Sequence, residues 1–125
     1  MANPNIVNVA AIYGNTSTTL LTSTSATSIV SNAASSGKVY KINSLIAANV
    51  DGTNAVDITV NLYSAAALGG TATAIASTIS VPADATLIVT DKTTSFYLLE
   101  DKSIGAIAGV ANDIVITCSW EELNS

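Results

Sequence analysis

The residues with the clearest chemical capacity are three oxygen-bearing side chains, Asp51, Asn54 and Asp57, in the stretch SLIAANVDGTNAVDITVNLYS. Carboxylate and amide oxygens at short spacing are the ligands that Ca²⁺ prefers. An EF-hand loop, however, places its oxygen ligands around an internal glycine and ends in a glutamate, and DGTNAVD does not follow that order. Asp51 followed by Gly52 between two apolar segments instead predicts the turn of a β-hairpin. Calcium held between the carboxylates of two loops is the alternative.

The hairpin interpretation assigns a separate role to each residue of this stretch. Gly52 is expected to adopt a positive φ, so that replacement by a β-branched residue strains the turn. Asp57 begins the alternating segment DITVNLYS and is expected on the solvent face, opposite Ile58. The sequence therefore predicts turn-forming residues here and no metal site.

The other acidic residues do not form a catalytic pair in the sequence. Glu100 and Asp101 are adjacent, so on a strand they would point to opposite faces, and a solvated turn is the expected setting. Asp84 and Asp91 flank ATLIVT, at opposite ends of one expected strand, and are predicted to cap turns. No general acid and base are brought together by these spacings.

Nucleophilic chemistry lacks its partners as well. The chain has no histidine, so neither a serine nor Cys118 has the usual base, and a single cysteine forms no internal disulfide. Cys118 is predicted to be a small buried hydrophobic residue. The four lysines, which could in principle act as a base, are Lys38, Lys41, Lys92 and Lys102, and only Ser35 with Lys38 has the S-x-x-K spacing. We therefore predict no catalytic residues, no cofactor and no metal, and a protein that is not an enzyme.

The charge balance argues against nucleic acid and anionic membranes as partners. Four lysines, no arginine and nine acidic residues give a net charge of -5, which repels phosphate backbones. The uncharged stretch from Ile58 to Ala83 is interrupted by Asn61, paired glycines and Pro82, so no transmembrane helix is predicted. The N-terminus lacks the basic leader and apolar core of a secretory signal, which favours maturation in a cytoplasm.

The dominant hydrophobic period is two, which is typical of strands. In DIVITCSWEE, the residues Ile114, Ile116, Cys118 and Trp120 alternate with polar or outward positions. Turn residues recur about every 8 to 12 residues, and helix is supported only as a single turn in YSAAALGG. We predict an all-β fold, a single antiparallel β-sandwich of about eight strands, either jelly-roll or immunoglobulin-like. The expected breaks between strands include Gly14 with Asn15.

Residues 1–125 are predicted to form one domain, in which residues 1–12 are an extended N-terminal arm. Pro4 and the nearby asparagines disfavour an interior strand, whereas Ile6, Val7 and Val9 need apolar cover. An arm laid on a neighbouring molecule satisfies both conditions. A first strand of the sandwich is the alternative.

The segments SGKVYKINSLIAANVDGTNAVDITVNLY and STISVPADATLIVTDKTTSFYLLEDKSI resemble small β-sandwich structural proteins of tailed bacteriophages, cyanophages in particular. The resemblance implies a non-enzymatic, many-copy virion protein assembled in the host cytoplasm. Its partners would be the major capsid protein or another virion protein, and further copies of itself. The leading prediction is a capsid decoration or cement protein. The alternative is a fibre or tail adhesin that binds a host glycan or protein through exposed aromatics, for which Tyr13, Tyr63 and Tyr97 are available.

Overall fold

The computed structural model describes residues 5–124, and this part of the chain forms nine β-strands and one 3-10 turn. The strands are β1 (Ala11–Leu20), β2 (Thr27–Asn32), β3 (Lys38–Asn49), β4 (Val56–Ala65), β5 (Gly69–Val81), β6 (Thr86–Thr90), β7 (Phe96–Leu98), β8 (Lys102–Ala108) and β9 (Ile114–Asn124). The 3-10 turn, Lys92–Thr94, lies between β6 and β7. All the strand pairs are antiparallel.

The strands divide into two sheets. The first has the order β1-β9-β3-β6, with β7 also paired to β3, and the second has the order β2-β8-β4-β5. The chain changes sheet at each of its first three connections and pairs consecutive strands only at β4 and β5. This strand order is that of a jelly roll, one of the two topologies left open by the sequence. The predicted antiparallel sandwich is confirmed.

The core lies between the sheets and is built from the alternating residues that the sequence indicated. Ile58 and Val60 of β4 and Ile114, Ile116 and Cys118 of β9 are fully buried. Apolar residues of the remaining strands join them in one cluster. Tyr40 and Trp120 stack at one end of the core, with ring centroids 6.1 Å apart. Period-two burial thus positions the sheets face to face.

The predicted strand break at Gly14 is wrong, because β1 runs without interruption from Ala11 to Leu20. Gly14 is not among the residues with positive φ, and a Cβ atom at this position would meet nothing within 4 Å. An open edge position accepts glycine as ordinary extended backbone, so this glycine does not terminate the strand.

The predicted hairpin at Asp51 and Gly52 is also wrong. Strand β3 belongs to the first sheet and β4 to the second, so the loop between them crosses the sandwich instead of joining paired strands. Gly52 is not among the positive-φ residues, which removes the expected strain at a β-branched replacement. An Asp-Gly pair marks a turn, but it does not determine whether the flanking strands pair.

Two buried asparagines connect the sheets at opposite ends of β3. Asn32, at the end of β2, donates to the carbonyls of Lys38 (2.9 Å) and Leu98 (3.1 Å) in the first sheet. Asn49, at the end of β3, donates to the carbonyls of Asn54 (2.9 Å) and Val81 (3.0 Å). Because buried polar groups need partners, each amide ties the end of one sheet to the backbone of the other.

The stretch YSAAALGG forms no helical turn but the end of β4 and a tight connection to β5. Ala67 and Leu68 both have positive φ, at 54° and 61°, as in a type I′ turn. Neighbouring strands hold the turn in place: Leu68 N donates to Ser103 Oγ (2.9 Å), which itself donates to the carbonyl of Ala65 (2.8 Å). These contacts fold the turn onto the outer side of β8.

Candidate functional site

Asp51 organises the loop between β3 and β4. Its Oδ1 accepts hydrogen bonds from the backbone N–H groups of Thr53 (2.8 Å) and Asn54 (3.2 Å), and its Oδ2 accepts one from Asn54 Nδ2 (3.3 Å). The backbone donors, Thr53 first, lower the pKa of the Asp51 carboxyl. Because these acceptor oxygens are occupied by loop donors, Asp51 and Asn54 act as turn-forming residues.

Asp57 does not join this arrangement. It is exposed on β4, as predicted, and its backbone carbonyl accepts from Gly109 N at 2.8 Å. Within residues 5–124, no group of three or more His, Cys, Asp or Glu side chains is placed to hold a metal ion. The absence of a metal at Asp51, Asn54 and Asp57 stays a prediction.

Of the other acidic residues, Asp84 adjoins the Asp51 loop, where its N–H donates to the Asp51 carbonyl at 3.1 Å. Asp91 caps the 3-10 turn, with its Oδ1 accepting from Thr93 N (2.9 Å) and Thr93 Oγ1 (2.6 Å), which lowers the pKa of the Asp91 carboxyl. Asp84 lies at the other end of β6 and has a φ of 58°. The prediction that both carboxyls of the Glu100 and Asp101 pair are solvated is wrong, since Glu100 is only 8% exposed. Asp101 is exposed, and its Oδ1 accepts from Ala66 N (3.1 Å).

Cys118 is fully buried in the core, as predicted. Burial raises the pKa of its thiol to about 12, so the reactive thiolate is not populated near neutral pH. Cys118 therefore contributes to core packing, and its thiol is neither accessible nor a nucleophile in this fold.

The aromatic residues considered for an adhesin are not gathered at one place. Tyr63 is buried, whereas Tyr13 and Tyr97 are 55% and 43% exposed. Residues paired across the strands of the first sheet form rows that run perpendicular to the strands. Tyr13 lies in the row that contains Glu122, and Tyr97 lies in the next row, which contains Lys41. Adjacent rows of a sheet point to opposite faces, so the two exposed tyrosines do not form a single binding patch.

A shallow groove of about 210 Å³ lies beside the β4–β5 connection and offers little chemistry. It is lined by Leu62, Tyr63, Ser64, Thr71, Thr73 and Lys102. Its one charged group, Lys102 Nζ, donates to the carbonyl of Ser64 at 3.0 Å. The groove is mainly the packing space between strands.

The features that stand out in the assembled fold are two long free sheet edges, one on each sheet. Strand β1 ends the first sheet and spans ten residues, and β5 ends the second and spans thirteen. Neither strand contains a charged residue or a proline. Natural proteins usually protect such edges with charge, proline or short length, because the free N–H and C=O groups of an edge can pair with another chain.

Exposed apolar side chains accompany these edges. On β1, Ile12 is 58%, Tyr13 55% and Leu20 43% exposed, and on β5, Ile75 is 37% and Ile79 40% exposed. The sequence indicated strand-forming residues in both regions but divided β1 at Gly14. It did not show that either strand lies at an edge, because strand order is not encoded in periodicity. The absence of charge from AIYGNTSTTL and GGTATAIASTISV was the available signal.

Comparison with known proteins informs the fold. No protein-family model matches the chain, and no curated protein matches it significantly. A solved structure described as "Bacillus endospore appendages form a novel family of disulfide-linked pili" aligns over 98% of this chain and 98% of its own. Its TM-score is 0.51 and its sequence identity is 16%, so the likeness is one of fold. Across residues 5–124, no helix has the length and apolar character needed to cross a membrane.

Proposed function

We propose that this protein is a non-enzymatic structural subunit that assembles in many copies through its free sheet edges. The observation that carries the proposal is the pair of long, uncharged edge strands on opposite sheets, β1 and β5. A subunit with two such edges can join a neighbour at each, and repetition then extends the assembly. The remaining side-chain chemistry is used for turns and packing.

The structural neighbour supports an extracellular appendage as the setting for such a subunit. It is described as a pilus, an assembly of many copies, and it shares the sandwich over nearly the whole of both chains. Decoration of a phage capsid is the narrower role that the sequence resemblance suggested, with the major capsid protein as partner. Capsid decoration and a virion location stay predictions.

The neighbour is described as disulfide-linked, but this chain is not equipped for that linkage. Its one cysteine, Cys118, is fully buried on β9, which lies between β1 and β3. A disulfide between two copies would require opening of the core. We therefore propose a non-covalent assembly, stabilised by backbone hydrogen bonds and apolar contacts between edges.

The proposal predicts that a charge placed on either edge weakens assembly without unfolding the subunit. Thr18→Lys on β1 and Ile75→Lys on β5 introduce an ammonium group at exposed positions, where a paired neighbour would desolvate it or face a second copy of it. We expect each variant to raise the protein concentration needed for assembly at least about tenfold. Sedimentation velocity over a concentration series measures this value.

Thr53→Lys is the matched control, because it adds the same charge at an exposed loop position outside both edge strands. It should sediment like the unmodified protein, and all three variants should melt within a few degrees of it. If the unmodified protein remains monomeric at every concentration, or if Thr53→Lys weakens assembly as much as the edge variants, the proposed function is wrong.

We also propose that the N-terminal segment acts as an arm. Strand β1 begins at Ala11, so the last two residues of the predicted arm belong to the sandwich, and residues 1–4 lie outside the described part. Ile6 and Val7 are 49% and 91% exposed. Deletion of residues 1–9 should weaken assembly, measured by sedimentation, more than it lowers the melting temperature. An equal loss of melting temperature with unchanged assembly would contradict the arm.

A further inference from the structure

Strand β1 differs from the other edge strands in the regularity of its pairing. It pairs with β9 over ten consecutive residues without a shift in register. The pairings of β2, β5 and β6 with their neighbours each contain at least one bulge or irregularity. Bulges twist an edge and interrupt its hydrogen-bonding groups. The edge of β1 is therefore the one best suited to receive a regular strand.

The acidic side chains nearest to β1 are held toward β3, away from this edge. The acidic residues opposite it on β9 are Glu121, which pairs with Gly14, and Glu122, which pairs with Tyr13. Glu121 Oε1 accepts from Asn43 Nδ2 at 3.2 Å, and Glu122 Oε1 lies 3.4 Å from Lys38 Nζ. Both partners are on β3, on the far side of β9 from β1. Two copies meeting at β1 thus bring together one ion-paired carboxylate, Glu122, and one charged carboxylate, Glu121, that is held toward β3, which lessens the repulsion expected from a net charge of -5.

The even-numbered residues of β1, from Ile12 to Leu20, are exposed and lie on one face of the strand. This set of side chains is self-complementary. When the strand is paired antiparallel with an identical strand and Thr16 lies opposite Thr16, Ile12 lies opposite Leu20 at both ends. Each end then joins two side chains that are 58% and 43% exposed in the single chain. Apolar cross-strand pairs of this kind stabilise a sheet.

We propose that two copies of this chain join through an antiparallel β1–β1 contact about a two-fold axis at Thr16. The contact merges the first sheets of both copies into one continuous sheet and covers Ile12 and Leu20. It rests on the proposed function and names one of the junctions, while β5 remains free for the next. A two-fold contact uses the same surface on both copies, so it needs no second binding site on the partner.

Cysteine cross-linking tests the contact directly. In the proposed register, the side chains of Thr16→Cys face each other, with Cα atoms about 4.5 to 5.5 Å apart, within the Cα separation that a disulfide spans. In Thr18→Cys, each cysteine lies opposite Gly14 of the second copy, and the two thiols are about 14 Å apart along the strands. Thr16 and Thr18 are both exposed and lie on the same face of β1. Mild oxidation followed by a non-reducing gel should convert most of the Thr16→Cys protein to covalent dimer and leave Thr18→Cys and the unmodified protein monomeric.

The outcomes separate this contact from the wider proposal. If both folded variants cross-link equally, or neither does, the two-fold register at Thr16 is wrong. Assembly of the unmodified protein together with no cross-linking of Thr16→Cys would leave the proposed function standing and remove this junction. Cross-linking of Thr16→Cys alone, from a protein that forms only dimers, would support the junction and contradict the many-copy assembly. Circular dichroism confirms that each variant is folded.

Discussion

Replacement of Asn49 by alanine is expected to lower the free energy of unfolding by about 3 kcal/mol, since buried backbone groups left without partners cost about 1 to 3 kcal/mol each. Asn49 is 2% exposed and donates to the carbonyls of Asn54 and Val81. Its Oδ1 also accepts from the Asp51 N–H at 2.9 Å. The variant therefore loses the link between the two sheets and the anchor of the β3–β4 loop. Urea unfolding of the monomeric protein measures the change.

Asn43→Ala is the matched control on the same strand. Asn43 is half-buried, and its amide makes one side-chain hydrogen bond, to Glu121 at 3.2 Å. Its loss should change the free energy of unfolding by about 1 kcal/mol or less. Equal effects of the two substitutions would contradict the assignment of Asn49 as the link between the sheets.

Gly105→Val is expected to destabilise the sandwich by about 1 to 3 kcal/mol through overpacking. Gly105 lies on β8, inside the second sheet. A Cβ atom there would approach Leu68 Cδ2 to 2.6 Å and Tyr63 Cε2 to 2.9 Å. Both contacts are closer than van der Waals separation, so the side chains of Leu68 and Tyr63 must shift. Thermal unfolding should show a fall of about 3 to 5 °C per kcal/mol for a domain of this size.

Gly14→Val provides the comparison on a free edge. A Cβ atom at Gly14 meets nothing within 4 Å, and we expect a change within about 0.5 kcal/mol. Measurement at a concentration where the protein is monomeric keeps assembly out of the comparison. If Gly14→Val destabilised the fold as much as Gly105→Val, overpacking at Gly105 would not be the cause of its effect.

The sequence predicted the elements whose burial alternates cleanly. Ile58 and Val60 of β4, and Ile114, Ile116 and Cys118 of β9, face the core as expected, because one face of each strand is apolar and the other polar. Those two strands were sufficient to indicate a sandwich. Cys118 followed from the same pattern, since it continues the apolar face.

The sequence did not predict which strands are neighbours, and the errors share this cause. The loop at Asp51 has the residues of a hairpin turn, but β3 and β4 lie in different sheets. Gly14 resembles a break until its position on an open edge is known. In the sequence, Glu100 resembles a solvated turn residue. In the structure, it is buried in the connection between β7 and β8. Each depends on contacts distant in sequence, which local propensity does not contain.

The candidate site was missed for the same reason. The β-branched residues of β1 were recognisable in the sequence. Whether a strand lies at a free edge, however, depends on which other strands pair with it, and the sequence does not show this. The acidic residues that drew attention first, Asp51 and Asp91, are turn formers with oxygens occupied by backbone donors. The lack of charge in β1 and β5 became informative only when the strand order of the two sheets placed them at the edges.

Amide hydrogen exchange on assembled and dissociated protein tests the central claim most directly, because a free edge has N–H groups that exchange quickly and a paired edge does not. We predict that amides in β1 and β5 become markedly slower to exchange in the assembled protein, while those of the central strands β9 and β8 change little. If β1 and β5 exchange at the same rate in both states, the edges remain unpaired, and assembly through them is contradicted.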